Sequence, residues 1–516
     1  MRTITILALL SGCALEPDTL DMAPERKAPA NGTTLDSFSL LPEPLPVNGG
    51  AYAYTPSMPA GANLWRVPLA PGLADDACVD LSDPVFYVHA APANSPHVND
   101  WIVFVPGGGA VQGPDAAVAA WFGYVTPLGE IIPPSHGEMS SQWAAPSIGP
   151  GGILDPNHVL NPFADWNMVF IHKCSIDRFM GRRHAYTAPL RVTHNISGYN
   201  GPVGPVGGTL ASGTQIKLAF RGHDIVDAVI DTLATTTVTY DDGTGDTSMP
   251  SLASANTVLF IGHSGGSRGA TNIIDDVAAR IRAVAANPVD VRLVMDAGFF
   301  PSPQSLVNGS MYSPAAYPTN DPANGGDPLA TYGEDLDNFQ TEWQADIDAT
   351  CLANEVDPSV CGDTLHLLMN WIETPMFVRQ DVADSHHATG KDATGATVFD
   401  CWQVDWDPTN CYGDTFALAG AVIDQVADLA LLRTQALTHT VLGTTVAKPS
   451  GFFPACGHHD GAHTDDGFYD TLTAAGIQTT YANSLLIWYR APNLASRLVE
   501  QNVPAGNPTV CPGETP

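Results

Sequence analysis

The segment Gly262-His263-Ser264-Gly265-Gly266 places a serine between a short apolar run, residues 258–261, and a stretch of helical apolar spacing, residues 267–286. Glycines on both sides of such a serine let the backbone turn sharply without Cβ clashes. The hydroxyl is then presented at the end of a strand, close to a helix N-terminus. A hydroxyl held there suits attack on an acyl carbonyl, provided that a base takes its proton and an acid fixes the base's tautomer.

Histidines are densest late in the chain, at Cys456-Gly457-His458-His459-Asp460-Gly461-Ala462-His463, and His459 is the expected base ahead of His458 and His463. For the acid the sequence offers Asp384, a few residues beyond a candidate strand at 375–378, with Asp296 and Asp381 as rivals. The oxyanion of acyl transfer needs donors already aimed at it. Gly107-Gly108-Gly109 directly follows an apolar strand at 101–105, so the backbone around Gly108 and Gly109, with the N–H of Gly265, is the expected oxyanion hole.

The same histidine-rich segment supports a second chemistry. His458, His459, Asp460, His463, Asp465 and Asp466 are metal-ligand types, and His459 and His463 are four apart, which allows a metal-dependent hydrolase. Gly457 and Gly461 speak against a helix there, and the chain has neither H-E-x-x-H nor C-x-x-C. The expectation is therefore no metal and no cofactor. A third reading is a surface lipoprotein that uses a hydrolase scaffold only for binding, because a fold does not guarantee an activity.

These residues need a frame. Apolar runs at 101–105, 167–171, 258–261, 291–295 and 375–378 read as strands, and Ile225, Val226, Val229, Ile230 and Leu233 have helical spacing between the second and third. Unbroken apolar strands alternating with helices predict an α/β fold with a mostly parallel sheet covered on both faces, of the α/β-hydrolase type. Segments 110–160, 185–215, 302–370 and 385–415 are rich in Gly, Pro, Asp and Asn and read as long loops framing the substrate site.

With 516 residues and 44% hydrophobic composition the chain can bury a large core, and disorder throughout is excluded. Met1-Arg2-Thr3 and the apolar residues 4–10 read as an export signal, and Leu10-Ser11-Gly12-Cys13 resembles a bacterial lipobox that would lipidate Cys13. The expected organisation is a signal at 1–12, a Pro-rich tether at 13–50 and a single catalytic domain at 51–516, exported to the cell envelope or beyond. The membrane is then a partner only through the lipid anchor. Eight further cysteines suggest disulfides, with Cys351–Cys361 and Cys401–Cys411 as the local pairs. A formal charge of −33 repels nucleic acid and polyanionic polysaccharide, so an acyl ester is the expected partner and nucleic acid is not.

Taken in order, the blocks resemble the pectin acetylesterase / Notum family of serine carboxylesterases. Pro106-Gly-Gly-Gly109 is similar to its oxyanion loop, and Asn161-Pro-Phe-Ala-Asp-Trp-Asn167 to its N-P-x-x-x-W-N block leading to Cys174. Phe220-Arg-Gly222 and Asp296-Ala-Gly-Phe-Phe300 match two more blocks. The resemblance implies a triad of Ser264, Asp384 and His459, and makes Asp296 structural. Three departures accompany it: Gly265 where the family commonly has Ala, Ala110-Val111 where it often has Trp-Cys, and Lys173-Cys174-Ser175 in place of Tyr-Cys-Asp. They bear on specificity more than on mechanism.

Overall fold

The computed structural model describes residues 63–298, 339–381 and 450–491, apart from short gaps within them, together with isolated strand segments elsewhere. Its frame is a ten-stranded sheet. In chain order the strands are β1 (Leu64–Pro68), β2 (Val85–His89), β3 (Asp100–Val105), β4 (Ser147–Ile148), β5 (Asn167–Ile171), β6 (Thr257–His263), β7 (Asp290–Asp296), β8 (Met376–Arg379), β9 (Ser450–Phe453) and β10 (Arg497–Val499). Their spatial order is β10-β9-β8-β7-β6-β3-β5-β2-β1-β4. Pairing is parallel from β10 to β5 and antiparallel from β5 outward to β4. All five strands expected from apolar runs lie in the parallel part.

Strands buried on both faces need apolar residues at every position. β6 shows why the run is unbroken. Val258 and Phe260 enter one core with Val103, Val105, Leu293 and Met295, whereas Leu259 and Ile261 enter the other with Ile102, Phe104 and Val294. The first core is closed by helices α1 (Gly113–Phe122), α2 (Gly222–Thr235) and α3 (Ser264–Val284), and the second by α4 (Tyr481–Arg490). On α3, Ile273, Ile274, Val277 and Ile281 are fully buried against the sheet. Each such side chain contributes on the order of 1.5–3 kcal/mol relative to exposure. This is an α/β-hydrolase-like fold, as expected.

The topology fixes where chemistry can sit. After β3 the chain passes through the edge strand β4 and comes back beside β3 as β5, then crosses to the opposite side of β3 as β6 and proceeds outward through β7, β8 and β9. The carboxyl ends of β3 and β6 are therefore neighbours at a switch point, where open α/β sheets leave a crevice for ligands. Gly107-Gly108 leaves β3 there, and Ser264 leaves β6.

All four segments read as loops contain regular structure, 385–415 through the antiparallel pair Thr389–Lys391 and Thr397–Asp400. Residues 113–122 form α1, whose Pro114 stands in the first turn, where its missing N–H costs nothing. Arg183–Pro189 pairs antiparallel with the twelve-residue strand Thr209–Phe220. Thr34–Ser39, within the segment expected to be a tether, lies parallel to that same long strand. Helices at Ala349–Asn354 and Thr364–Asn370 occupy part of 302–370. Disulfides join Cys351 to Cys361, as expected, and Cys78 to Cys174. Cys401 and Cys411 lie outside the described residues, as do Cys13 and the expected signal.

Candidate active site

Ser264 takes a φ of +50°, a left-handed conformation rare outside glycine, at the junction of β6 and α3. Such strain at a serine between strand and helix is the backbone geometry that the glycine-flanked spacing predicts. The two glycines that follow Ser264 let the β3 loop come close. A Cβ on Gly265 would lie 2.4 Å from the Gly108 carbonyl oxygen, and one on Gly266 would lie 2.3 Å from that of Pro106. The β3 loop thus packs directly over the start of α3, and alanine at 265, common in the resembled family, does not fit this approach.

His459 Nε2 lies 2.7 Å from Ser264 Oγ, a hydrogen bond across 195 residues of sequence. This is the distance at which an imidazole can take the hydroxyl proton. Asp384 lies outside the described residues, as do Gly109, His458 and Asp460. Of the rival acids, Asp381 is fully buried in a two-pronged ion pair with Arg379, at 2.6 and 3.1 Å. Asp296 is also fully buried. Its Oδ2 accepts from His263 Nδ1 at 2.8 Å and from the Ala462 amide at 2.9 Å. Asp465, one of the candidate metal ligands, accepts instead from the Gly152 amide at 2.8 Å.

His263 is the residue that sequence reading passed over. It occupies the variable position of G-x-S-x-G, and parallel register sets it opposite Asp296 on β7. The signal was available in the two strand ends, His263-Ser264 and Asp296-Ala297, but strand apposition had to be known to use it. The ring of His463 lies 4.4 Å from that of His263, centroid to centroid, and the His459 ring 5.5 Å. Burial pushes the His463 pKa down to about 3, so it is neutral at physiological pH. Burial opposes ionisation of Asp296, but the bond from His263 and the charge of Arg379 hold its carboxyl below the usual range.

A second charged feature underlies the Gly107-Gly108 loop. Lys173 is buried and donates to Glu138 at 3.1 Å, and both side chains abut Gly108, whose φ is +111°. Burial lowers the Lys173 pKa, and the Glu138 charge opposes that shift. Next along the chain, Cys174 is tied to Cys78, and Asp177 accepts from Ser175 Oγ and the amides of Phe179 and Gly222. Burial raises the Asp177 pKa to about 6 despite these bonds.

Three groups of ligand-type side chains gather within 4.8 Å among the described residues: His263, Asp296 and His463; Cys351, Glu355 and His366; and His223, Asp276 and Asp346. Cys351 is committed to its disulfide. The third group shares Asp346 and His223 with the Arg182 guanidinium. The first adjoins Ser264.

The family model for pectinacetylesterase matches residues 71–511. The chain belongs to that family. Two crystal forms of the Wnt deacylase Notum from Drosophila are similar in fold, with TM-scores of 0.54 and 0.53 and 19% and 18% identity; each alignment covers 86% of this chain and 97% of that one. No curated protein matches the chain by sequence. Family membership supports an esterase. Among the described residues no helix is long and apolar enough to cross a membrane.

Proposed function

We propose that this pectinacetylesterase-family chain is an exported serine carboxylic-ester hydrolase. The observation that carries the reading is the 2.7 Å contact between His459 Nε2 and Ser264 Oγ, made by a serine in strained left-handed geometry at the sheet's switch point. Ser264 attacks the ester carbonyl while His459 takes its proton. Backbone N–H groups near Gly108, Gly109 and Gly265 receive the oxyanion. Collapse of the tetrahedral species expels the alcohol, protonated by His459, and leaves an acyl-serine. Water, activated by the same imidazole, then releases the acid. Asp384 orients His459, by resemblance to the family's triad.

The substrate is an acyl ester, with acetyl groups on polysaccharide suggested by the family's name and acyl groups on protein by the Notum title. The net charge of −33 favours a neutral or largely esterified polymer, or a small ester, over a bare polyuronate. Two disulfides fit an oxidising compartment and hence export, with Cys13 as the lipid anchor. The test is Ser264→Ala. It should abolish p-nitrophenyl acetate turnover and covalent labelling by a serine-directed phosphonate while leaving the circular dichroism spectrum unchanged; full activity in that variant refutes the assignment.

A further inference from the structure

Ser264 and His459 stand on segments that meet only in the folded chain, one at the end of β6 and the other beyond β9. The 2.7 Å between them is set by whatever fixes one segment against the other. Asp296, at the end of β7, touches both. Its Oδ2 accepts from Nδ1 of His263, the residue before the serine, at 2.8 Å, and from the amide of Ala462, three residues past the histidine, at 2.9 Å. One oxygen therefore holds the serine's strand and the histidine's loop.

That oxygen is closely seated. A Cβ on Gly461 would lie 1.7 Å from Oδ2, although the backbone at Gly461 is not left-handed, so the carboxylate is what excludes a side chain there. The Ala462 carbonyl accepts from the Ile153 amide at 2.7 Å, so Gly461-Ala462 is held between Ile153 and Asp296. Asp296 is fixed in turn by both neighbouring strands. His263 on β6 and Arg379 on β8 are its register partners, and the Ala297 amide donates to the Arg379 carbonyl at 2.9 Å. The Tyr481 hydroxyl and the Arg379 guanidinium face the same carboxylate. Burial opposes its ionisation, yet the His263 bond and the Arg379 charge keep it ionised, and bonds to a charged acceptor are roughly twice as strong as neutral ones.

We infer that Asp296 is a positioning residue of the proposed ester hydrolysis: through one oxygen it sets the base's loop against the nucleophile's strand at the spacing that proton transfer needs. The role rests on the serine mechanism, and it goes beyond the structural part that family resemblance implies for this residue. It also differs from the role proposed for Asp384, which orients the His459 ring, because Asp296 acts on the backbone two and three residues further on. A displacement of about 1 Å at a reacting group costs on the order of 100-fold in rate.

Two variants test the tie from opposite sides. Gly461→Ala keeps the carboxylate and pushes the loop off it, whereas Asp296→Ala removes the carboxylate. Each should lower kcat for p-nitrophenyl acetate roughly 10- to 100-fold with KM within about twofold, and slow phosphonate labelling of Ser264 by the same factor. Together they should cost no more than Asp296→Ala alone, because the methyl then meets no carboxylate. In a His459→Ala background neither should lower the residual rate further, since the tie acts through the base. Full kcat in Gly461→Ala, or equal losses with and without His459, overturns the positioning role and leaves Asp296 a part of the scaffold. Should Asp296→Ala not fold, Gly461→Ala with and without His459 decides alone. Wild-type protein that never labels with phosphonate sinks the serine mechanism and this role together, whereas a labelled wild type with insensitive variants sinks this role only.

Discussion

His223 and His263 are both buried against a carboxylate, at 2.6 Å from Asp346 and 2.8 Å from Asp296, yet their surroundings are opposite in kind. Around His223 the polar atoms are answered. Arg182 reaches Asp346, Asp224 and Asp227, and Arg280 reaches Asp227 and Asp231, so two guanidiniums fasten α2 to α3 and to the segment before Ala349–Asn354. Around His263 three buried polar atoms are left without partners among the described residues. A saturated network holds parts together, and its members have no capacity left for a ligand. An incompletely satisfied one beside a strained serine is where binding or catalysis is kept. The same residue pair is therefore closed off by guanidiniums in one place and set beside Ser264, the proposed nucleophile, in the other.

The contrast can be broken at either end. His459→Ala should lower kcat/KM for p-nitrophenyl acetate at least a thousandfold, since removing one member of a serine–histidine unit forfeits nearly all of its effect. Its melting temperature should stay within about 2 °C of the wild type, as checked by calorimetry. Gly265→Ala comes next. The added methyl meets the Gly108 carbonyl at 2.4 Å, so the oxyanion loop must retreat, and kcat should fall roughly 10- to 100-fold with little change in KM.

At the other cluster, Arg182→Met should cost about 1–3 kcal/mol in urea unfolding, a figure kept low because this guanidinium is about one-third exposed. Its kcat/KM at 20 °C should remain within about twofold. Loss of activity from Arg182→Met at full stability, or loss of stability from His459→Ala at full activity, would dissolve the distinction between the two clusters.

The smallest effect is on pH dependence. His463 takes a proton near 6.5 when unfolded but only at about 3 when folded, so the unfolded chain binds more protons between those values. Stability contributed by neutral His463 is thus present above 6.5 and lost as pH falls through the window. Asp177 and Asp348, both raised by burial to about 6, act in the opposite sense but do so equally in a His463→Gln variant. On acidification from pH 7 to 4 the wild type should lose stability faster than His463→Gln in urea titrations, with no difference in slope above pH 7.

The parallel half of the sheet was legible because strands buried on two faces carry nearly unbroken apolar runs, as Val258–Ile261 of β6 illustrates. The antiparallel hairpin was not. Thr209–Phe220 alternates Leu210, Ile216 and Leu218 inward with Ser212, Gln215 and Lys217 outward, and Gly213 interrupts it, so its composition resembles a loop. α1 was hidden by the Gly113-Pro114 that begins it. At the site, Ser264 and His459 could be named from local spacing, whereas His263, opposite Asp296, depends on which strands become neighbours. Pairing across the sheet is a non-local property that no window of sequence contains.

The separation of 195 positions between Ser264 and His459 also bears on how the chain is made. A ribosome that has completed α3 has already produced the serine, its turn and the β3 loop, yet nothing that can take the serine's proton. Only after β8 and β9 have been synthesised and added to the sheet does the histidine arrive. On the proposed mechanism the growing chain is chemically silent for most of its synthesis, and the first turnover certifies that β8 and β9 have joined the sheet.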